Sequence, residues 1–526
     1  MSAQDPVAPA PPTSIPWMGL LAVLLGTFIS TLTTRLSSFG VADIRGAVHA
    51  GFDEGAWITT AQTVGQMLVA PLAIWLGGVY GPRRVLIYAA TAMAIVSVIE
   101  PFSPNLHTLL GLQFAGGLAS GFFVPLTLSF ILRNTPPKAW AYGVALYALN
   151  LEVSLNVSAS LEGWYLEHLS WAWIFWQNVP LAASMALCLR FGVRPDPVNP
   201  ARPPADIFGL ASGGIALALI YAALDQGNRL DWTNSGLVWG LILSGALLLI
   251  AFLVHESSTP YPGVDLKVVR ASPVPRLLIL LSFLRLTLLS TSYAIPQFLQ
   301  IVRGFRALEV GQTLVWIALP QLFVCFAAGY LLRRFDPRLI SSAGFFCICS
   351  ACLMVAHGLT PVWGTDQFLP SALVQAAGQG FALSGIIFFG VLHMRPQDAL
   401  TFGAALQVAR LMGGEVGQAF ITTFIRVRGQ IASNLLGLHV QIGDGQVAQR
   451  LQDYAAATAP AGNSDTARGA AVLGSVVHSM SVTQGIIDAF VVIAALTAVT
   501  VILIVTRRAA PPGPASHISP FAPRVP

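Results

Sequence analysis

The feature that most constrains the fold of this chain is a succession of long apolar segments joined by short polar connections. A helix that crosses a bilayer needs about 20 mostly apolar residues, and by that rule the sequence predicts fourteen spans. Only 10% of the 526 residues are charged, whereas soluble domains have about 25%. The net charge is +5, but the basic residues are scattered singly between apolar runs. The composition therefore excludes a soluble enzyme and disfavours a nucleic-acid-binding protein, and it predicts an all-α integral membrane protein.

The fourteen spans form two blocks of six with two helices inserted between them. Their predicted starts lie near Trp17, Trp57, Val85, Thr108, Ala139, Trp171, Ile207, Ser235, Arg276, Gly311, Leu339, Phe368, Thr401 and Ile486. The predicted parts are an N-terminal tail (1–16), a six-helix half (17–192), a linker (193–206), the two inserted helices (207–256), a second linker (257–275), a second half (276–508) and a C-terminal tail (509–526). The second half includes an outer loop, residues 426–485, with one helix around 430–457. The first sixteen residues are rich in Pro and Ala and lack Lys and Arg, so no cleavable signal is predicted.

The distribution of basic residues predicts that both termini are cytoplasmic. With that orientation, the inner loops and the C-terminal tail carry 17 Lys and Arg residues, and the outer side carries 8. Four of those eight fall in the long loop at 426–485, where charge has less influence on orientation. The bias therefore agrees with the positive-inside rule.

An internal repeat relates the two six-helix blocks. Gly81-Pro82-Arg83 after the second span corresponds to Asp336-Pro337-Arg338 after the tenth, an offset of 255 residues (337 minus 82). Two parallel six-helix halves that meet at a central site are typical of transporters.

A dense aromatic segment opens the sixth span. Residues 170–180 read SWAWIFWQNVP, and such a cluster is typical of an anchor at the membrane–water interface. The segment resembles the W-R-W-I-F-x-x-N-V-P signature of the fourteen-span drug:proton antiporter branch (EmrB/QacA type) of the major facilitator superfamily. The likeness continues over nearly the whole chain, for example at Gly117, Gly121 and Pro125 and in the run Arg410-x-x-Gly413-Gly414.

This resemblance implies a major facilitator fold and a transporter in the bacterial inner membrane that exports small organic molecules, drugs or metabolites, by proton antiport. It also implies a conformational motif in the loop after span 2, with Gly81, Arg83 and Arg84 in the corresponding positions. Relatives in two-membrane bacteria often work with a periplasmic adaptor and an outer-membrane channel, and the loop at 426–485 is the segment predicted to contact such an adaptor. No ATP-binding, zinc or nucleophile motif is present, so neither a cofactor nor an enzyme activity is predicted.

The sequence also departs from the pattern of this family. Thr33 stands near the usual acidic residue of span 1, and Gln113 replaces the arginine of span 4. Gly78 replaces the aspartate of the loop motif, and Ala172 replaces the arginine of the span 6 signature. The proton-coupling residues of the family therefore cannot be transferred directly, and a transport-inactive relative that serves as a sensor or scaffold is the alternative function.

Ionisable residues inside predicted spans are the main candidates for chemistry. A charge at the bilayer centre costs about 2.5–3.5 kcal/mol on insertion scales, so such residues usually face the protein interior. Arg35 in span 1 and Arg285 in span 9 occupy related positions in the repeat, and guanidinium groups bind carboxylates and phosphates by paired hydrogen bonds. In one hypothesis both arginines bind an anionic substrate. In the other they have a structural role, as partners of carboxylates or backbone carbonyls.

Glu152 in span 5 and Glu415 in span 13 are the candidate proton carriers, and Arg410, also in span 13, is the third candidate proton-coupling residue. Burial disfavours a charged carboxylate, so such groups can exchange protons near neutral pH. The alternative is a buried ion pair. Because Arg410 and Glu415 are five residues apart, they do not face each other on one helix, and their partners are expected on other helices. Polar residues that could also line the cavity, and that we include as candidate substrate-binding residues, are Gln113, Asn150 and Gln297.

Overall fold

A computed structural model describes residues 16–194, 206–260, 262–271, 274–394, 398–440, 444–458 and 466–506, and within them it contains helices and no strand. The all-α prediction is confirmed. Several predicted features lie outside the described residues: nearly all of the tail at 1–16, most of the linker at 193–206, the tail at 509–526, and Arg202, Arg395, Arg507, Arg508 and Arg524, which count towards the charge bias.

The first half of the chain forms ten helices, of which the short ones lie at the ends of the long ones. They are α1 (Trp17–Phe39), α2 (Val41–Ala47), α3 (Phe52–Gly55), α4 (Trp57–Tyr80), α5 (Pro82–Ile99), α6 (Leu106–Ser120), α7 (Phe123–Asn134), α8 (Trp140–His168), α9 (Trp173–Trp176) and α10 (Asn178–Gly192). Short 3₁₀ turns cover Glu100–Phe102 and Pro137–Ala139.

The inserted helices and the second half follow in the predicted order. The inserted helices are α11 (Ile207–Gly227) and α12 (Gly236–Ser258), joined by a 3₁₀ turn at Trp232–Asn234 and followed by the linker helix α13 (Leu266–Arg270). The second half contains α14 (Val274–Thr287), a π-helical turn (Ser290–Ala294), α15 (Ile295–Ile301), α16 (Ala307–Leu332), α17 (Pro337–Gly358), α18 (Thr365–Leu392), α19 (Ala399–Gly437), α20 (Gly445–Thr458) and α21 (Thr466–Val505). Most helices begin within a few residues of their predicted starts, but α21 begins at Thr466 rather than near Ile486.

Twelve helical segments in the described residues are long and apolar enough to cross a membrane. Two predicted spans are not among them. Span 6 is the 15-residue α10, and span 13 is α19, in which Arg410 and Glu415 lower the hydropathy. The chain is a multi-pass membrane protein, and the exact count of fourteen stays a prediction.

The repeat is visible in how equivalent helices begin. Both α5 and α17 have a proline as their first residue, Pro82 and Pro337, where the missing N–H costs no helical hydrogen bond. Gly81 before α5 has a φ of 83°, a backbone conformation that glycine adopts without strain. The predicted correspondence therefore holds for the proline that begins each helix, whereas Asp336 before α17 has a φ of −61° and caps its helix with its side chain.

The two halves contact each other at several levels along their interface. Gly163 near the end of α8 packs against the backbone of Leu308 at the start of α16, and Gly311 packs against Ser160. At the start of α19, Gly403 packs against the backbone of Pro125 in α7. Small residues let helix backbones approach closely. The halves are therefore in contact at two places: where α8 ends and α16 begins, and where α19 begins beside α7.

Residues 426–485, predicted as an outer loop, are mostly helical. Helix α19 continues to Gly437, α20 is a separate helix, and α21 already begins at Thr466. A helix of 39 residues such as α19 is about 58 Å long, nearly twice the bilayer core of about 30 Å. The ends of α19 and α21 therefore project from the membrane with α20 packed on them, and Arg428 of α19 forms an ion pair with Asp488 of α21 at 2.6 Å. We call residues 426–485 the helical projection.

Candidate functional site

A cluster of ionisable side chains lies between the two halves, and we call it the central cluster. It consists of Arg35 on α1, Tyr147 and Glu152 on α8, Arg285 on α14 and Arg410 on α19. These residues interact electrostatically with one another: Arg285 with Arg35, Glu152 and Arg410, and Glu152 also with Arg410. The structure thus brings together four of the five intramembrane charges that the sequence singles out.

Arg35 connects the two halves by a hydrogen bond to a backbone carbonyl of the second half. Its Nη2 donates a hydrogen bond of 2.7 Å to the carbonyl oxygen of Ser292, which lies in the π-helical turn after α14. A π-helical turn widens the helix and frees carbonyl groups from the regular pattern. The guanidinium also lies 5.3 Å from the ring centre of Phe39, whereas its Nε has no partner among the described residues.

Arg410 is the most completely hydrogen-bonded arginine of the cluster. Its Nε and Nη2 donate to Oε1 of Gln407 at 3.2 and 3.0 Å, and its Nη1 donates to Oγ1 of Thr31 at 3.2 Å. The last bond connects α19 in one half to α1 in the other. Arg410 is 3% exposed, so these bonds satisfy a guanidinium that water does not reach.

Arg285 differs because no hydrogen bond is found for it within the part of the chain that the structure describes. Its Nε is buried without a partner, while the side chain as a whole is half-buried. Its electrostatic neighbours are two arginines, Arg35 and Arg410, together with Glu152 and Tyr147. No protein oxygen among the described residues therefore occupies the donor groups of Arg285.

Glu152 is the carboxylate of the central cluster. It is 1% exposed, and neither carboxylate oxygen has a hydrogen-bond partner among the described residues. The hydroxyl of Tyr147, also buried, has no partner there either. Two arginines, Arg285 and Arg410, interact with this carboxylate, and Arg35 interacts with Arg285, so the cluster carries an excess of positive charge.

A network of amide side chains lies beside the central cluster. Asn156 of α8 donates 3.1 Å to Gln379 of α18, and Gln321 of α16 donates 2.8 Å to the same oxygen. Gln379 in turn donates 2.9 Å to Thr291 in the π-helical turn. Because all four residues are buried, this network fixes α8 of the first half against the second half.

Glu415 lies in a different environment from Glu152. It lies close enough to Asp225 and Tyr221 of the inserted helix α11 to interact electrostatically with both. Thr60 of α4 donates to Asp225, and Nε2 of Gln226 donates to it at 3.1 Å. The prediction that Arg410 and Glu415 find partners on other helices holds for both residues.

Asp225 is a residue that the sequence reasoning missed. It lies two residues before the end of α11, and an acidic residue inside a predicted span was the signal that could have identified it. The next charged residue, Arg229, hydrogen-bonds to Gln226 at 2.8 Å and forms an ion pair with Asp53 at 3.1 Å. The inserted helices thus contribute a carboxyl group to a buried site between α4, α11 and α19.

The three predicted polar cavity residues are placed differently. Asn150 donates to the carbonyl oxygen of Leu24 and to Oγ1 of Thr27, so its amide holds α8 against α1. Gln113 is buried in α6, and neither of its amide atoms has a partner among the described residues. Gln297 is half-buried on the short helix α15. None of the three has a hydrogen bond to a residue of the central cluster in the described structure.

The predicted conformational motif fastens two helix ends together. Arg83 donates from Nε to the carbonyl of Leu189 at 3.0 Å and from Nη2 to that of Arg190 at 2.8 Å. Both carbonyls belong to the last turn of α10, where carbonyl groups lack helical partners and attract cations. Arg84 is half-buried beside it.

Comparison with known proteins agrees with this architecture. The family model described as Major Facilitator Superfamily matches residues 23–418. The chain is 27% identical over 424 residues to the probable multidrug resistance protein EmrY of Escherichia coli strain K12, which covers 77% of this chain and 80% of EmrY. It is 25% identical over 409 residues to the multidrug export protein EmrB of the same strain, which covers 77% of this chain and 79% of EmrB.

Among solved structures, the chain is similar to the human organic anion transporter MFSD10. The TM-score is 0.56 at 15% sequence identity, and the match covers 93% of this chain and 97% of that chain. At this identity the likeness concerns the fold alone.

Proposed function

The chain belongs to the Major Facilitator Superfamily, and we propose that it exports small organic molecules across the bacterial inner membrane by proton antiport. Membership of this family makes it a membrane transporter and not an enzyme. Relatives whose names describe multidrug resistance and multidrug export support a substrate class of drugs or drug-like metabolites.

The observation that carries this proposal is the central cluster between the two halves. Arg35 and Glu152 come from the first half, and Arg285 and Arg410 come from the second. Charges at membrane depth usually mark a substrate or ion pathway, and alternating access requires a site that both halves share. The cluster has both properties.

The Glu415–Asp225 pair supports the proton-coupling part of the proposal. Two carboxylates that lie close together repel each other, so such a pair favours the binding of one proton. Glu415 is on a helix of the second half, and Asp225 is on an inserted helix that packs on α4 of the first half. Gain and loss of this proton would therefore strengthen and weaken a contact between parts that move. Each proton that enters along a potential of 100 mV supplies about 2.3 kcal/mol.

Transport in everted membrane vesicles tests the function. Vesicles that contain the chain are given an acidic lumen, and uptake of ethidium (a cation) and of 2-naphthoate (an aromatic carboxylate) is followed. We expect uptake of at least one probe that stops when the pH gradient is collapsed. Glu415→Gln and Asp225→Asn should each reduce uptake at least tenfold, because neither variant retains the ionisable pair.

The matched control is Glu54→Gln, which makes the same chemical change at an exposed position of α3 and should transport like wild type. Wild-type uptake that persists without a pH gradient would contradict antiport. Full activity in both the Glu415 and the Asp225 variant would remove this pair from the coupling mechanism.

The departure of Gln113 from the family pattern favours one alternative, a transport-inactive sensor or scaffold. In that case wild-type vesicles would accumulate neither probe, with or without a gradient. The same vesicles thus separate the two functions.

We also propose that the helical projection contacts a periplasmic adaptor, which would in turn contact an outer-membrane channel. Its support is the projection of α19 and α21 beyond the thickness of a bilayer core. This partnership requires the termini to be cytoplasmic, as the charge bias predicts.

A further inference from the structure

We infer that the central cluster binds an organic anion, and that Glu152 is a resident counter-ion which this anion replaces when it binds. The inference rests on the proposed transport function and specifies its substrate class. It also assigns Glu152 a role different from that of Glu415.

The first step is the charge of the cluster. Arg35, Arg285 and Arg410 carry three positive charges, and Glu152 is the one carboxylate among their electrostatic neighbours in the described residues. The other carboxyl group on α19, Glu415, interacts with α11 instead. Like charges held together in a medium of low dielectric constant repel strongly. An anionic ligand would compensate this excess, and a cationic ligand would increase it.

The second step is the hydrogen-bonding capacity of the arginines. Arg410 donates three bonds to protein oxygens, whereas Arg35 donates one, to a carbonyl. Arg285 donates none within the described residues, and the side chains of Arg35 and Arg285 are only half-buried. A carboxylate fits the planar fork of a guanidinium with two parallel bonds. The ligand's carboxylate therefore belongs on Arg285, with Arg35 close by.

The third step concerns Glu152. Its oxygens accept no hydrogen bond from the described residues, and the charges that face it are Arg285 and Arg410. An anion bound to Arg285 would repel the charge of Glu152 and weaken its attraction to that arginine. Anion binding should therefore favour protonation of Glu152, and protonation should favour anion binding to the same extent.

Because of this linkage, Glu152 and the Glu415–Asp225 pair have different roles in transport. A proton taken up by Glu152 accompanies the anion, so a bound monoanion leaves the net charge of the site unchanged, and this proton moves in the same direction as the substrate. The proton that moves in the opposite direction must then use another group, and the Glu415–Asp225 pair is outside the central cluster. The geometry thus assigns compensation of the anion's charge to Glu152 and energy coupling to the Glu415–Asp225 pair.

Calorimetric titration of the purified full chain in detergent tests the inference. The probes are naphthalene-2,6-dicarboxylate and decanoate as anions, naphthalene-2,6-dicarboxamide as the neutral match and 2,6-bis(aminomethyl)naphthalene as the cationic match. Each titration is repeated in two buffers of different ionisation enthalpy, which measures proton uptake. We expect at least one anion to bind with uptake of a proton, and at least tenfold weaker binding of both matched molecules.

The variants distinguish the roles of the residues. Arg285→Gln should weaken anion binding at least tenfold, and Arg285→Lys, which keeps the charge and loses the fork, should weaken it less. Glu152→Gln should bind the anion more tightly than wild type and without proton uptake. Arg426→Gln, an exposed position on α19, is the control and should bind like wild type. If Arg285→Gln does not fold, Arg285→Lys and Glu152→Gln still give the two decisive measurements.

The outcomes separate this inference from the proposed function. Failure of both anions to bind, or equal binding of the neutral probe, would overturn the anion site even if vesicles accumulate ethidium in response to a pH gradient. Unchanged proton uptake in Glu152→Gln would overturn the role of Glu152. If the purified protein binds the anion and the variants change binding as expected, but vesicles show no gradient-driven uptake, the anion site would stand and antiport would be refuted.

Discussion

At the scale of single residues, Arg410 and Arg285 illustrate two uses of the same side chain in one membrane interior. Arg410 is bonded to Gln407 on its own helix and to Thr31 across the interface. Arg285 keeps its donors free of protein partners in the described structure and lies among like charges. The first arrangement stabilises a contact between helices, and the second favours a ligand.

This difference predicts the effect of replacing Arg410 by lysine. An ammonium group cannot form the bonds that the guanidinium makes to Gln407 and Thr31 at the same time, and hydrogen bonds to charged groups contribute about 1.5–3 kcal/mol each. Arg410→Lys should therefore lower the midpoint of thermal unfolding by several degrees, measured by the loss of the monodisperse peak in size-exclusion chromatography after heating. Arg426→Lys on the exposed side of the same helix should leave it unchanged. Equal midpoints for the two variants would refute the structural role of Arg410.

Sequence reasoning missed Tyr147 and identified the four charged members of the central cluster from the free-energy cost of a charge in the membrane, without identifying their partners. Arg35, Glu152, Arg285 and Arg410 stand out because a charge inside an apolar span requires compensation. Which groups provide it depends on helix packing that no spacing within one span encodes. The sequence allowed a bond from Arg35 to a backbone carbonyl, but for this reason it could not identify the carbonyl of Ser292 as the partner. Asn150 was predicted to line a cavity because it is polar, but its side chain is hydrogen-bonded to the neighbouring helix α1.

At the scale of helices, the close approach of α4 and α6 depends on Gly117. A Cβ atom at this position would collide with the backbone carbonyl of Gln62, whereas a Cβ at Gly111 on the same helix meets no atom within 4 Å. The structure thus identifies α4 as the helix that Gly117 allows to approach.

Alanine substitutions at these two glycines should therefore have opposite outcomes. Gly117→Ala forces α4 and α6 apart, and overpacking of this kind typically costs about 1–3 kcal/mol. Its thermal midpoint should fall by several degrees, while that of Gly111→Ala should stay at or slightly above wild type, because alanine favours the helix. Chromatography after heating gives both values. A Gly117→Ala protein as stable as the Gly111→Ala protein would show that α4 and α6 can separate without cost.

The helical projection is the part of the helix pattern that the sequence predicted least well, because residues 426–485 were expected to form a loop with one helix around 430–457. Hydropathy identified only the apolar parts of α19 and α21, because the outer turns of both helices are polar enough to resemble a loop. Their continuity follows from contacts with each other, such as the ion pair of Arg428 with Asp488, and from the packing of Gly469 against the backbone of α20. Such contacts between distant segments have no local signature.

At the scale of the whole molecule, the orientation of the fold in the membrane decides which end of the central cluster receives the substrate and where the projection lies. With the predicted orientation, 17 basic residues face the cytoplasm and 8 face outward. Basic residues near span ends resist translocation, so the chain should insert with the projection outside and with the end of α12 in the cytoplasm.

Cysteine labelling of intact cells tests this orientation. In a chain whose five cysteines are replaced by alanine, we introduce Ala456→Cys on α20 or Ser257→Cys at the end of α12, both exposed positions. A membrane-impermeant maleimide should label the first variant in intact cells and the second only after permeabilisation. The reverse pattern would place the helical projection in the cytoplasm and rule out a periplasmic adaptor as its partner. It would also exchange the entry and exit sides of the central cluster, so that the same halves and the same charges would serve uptake instead of export.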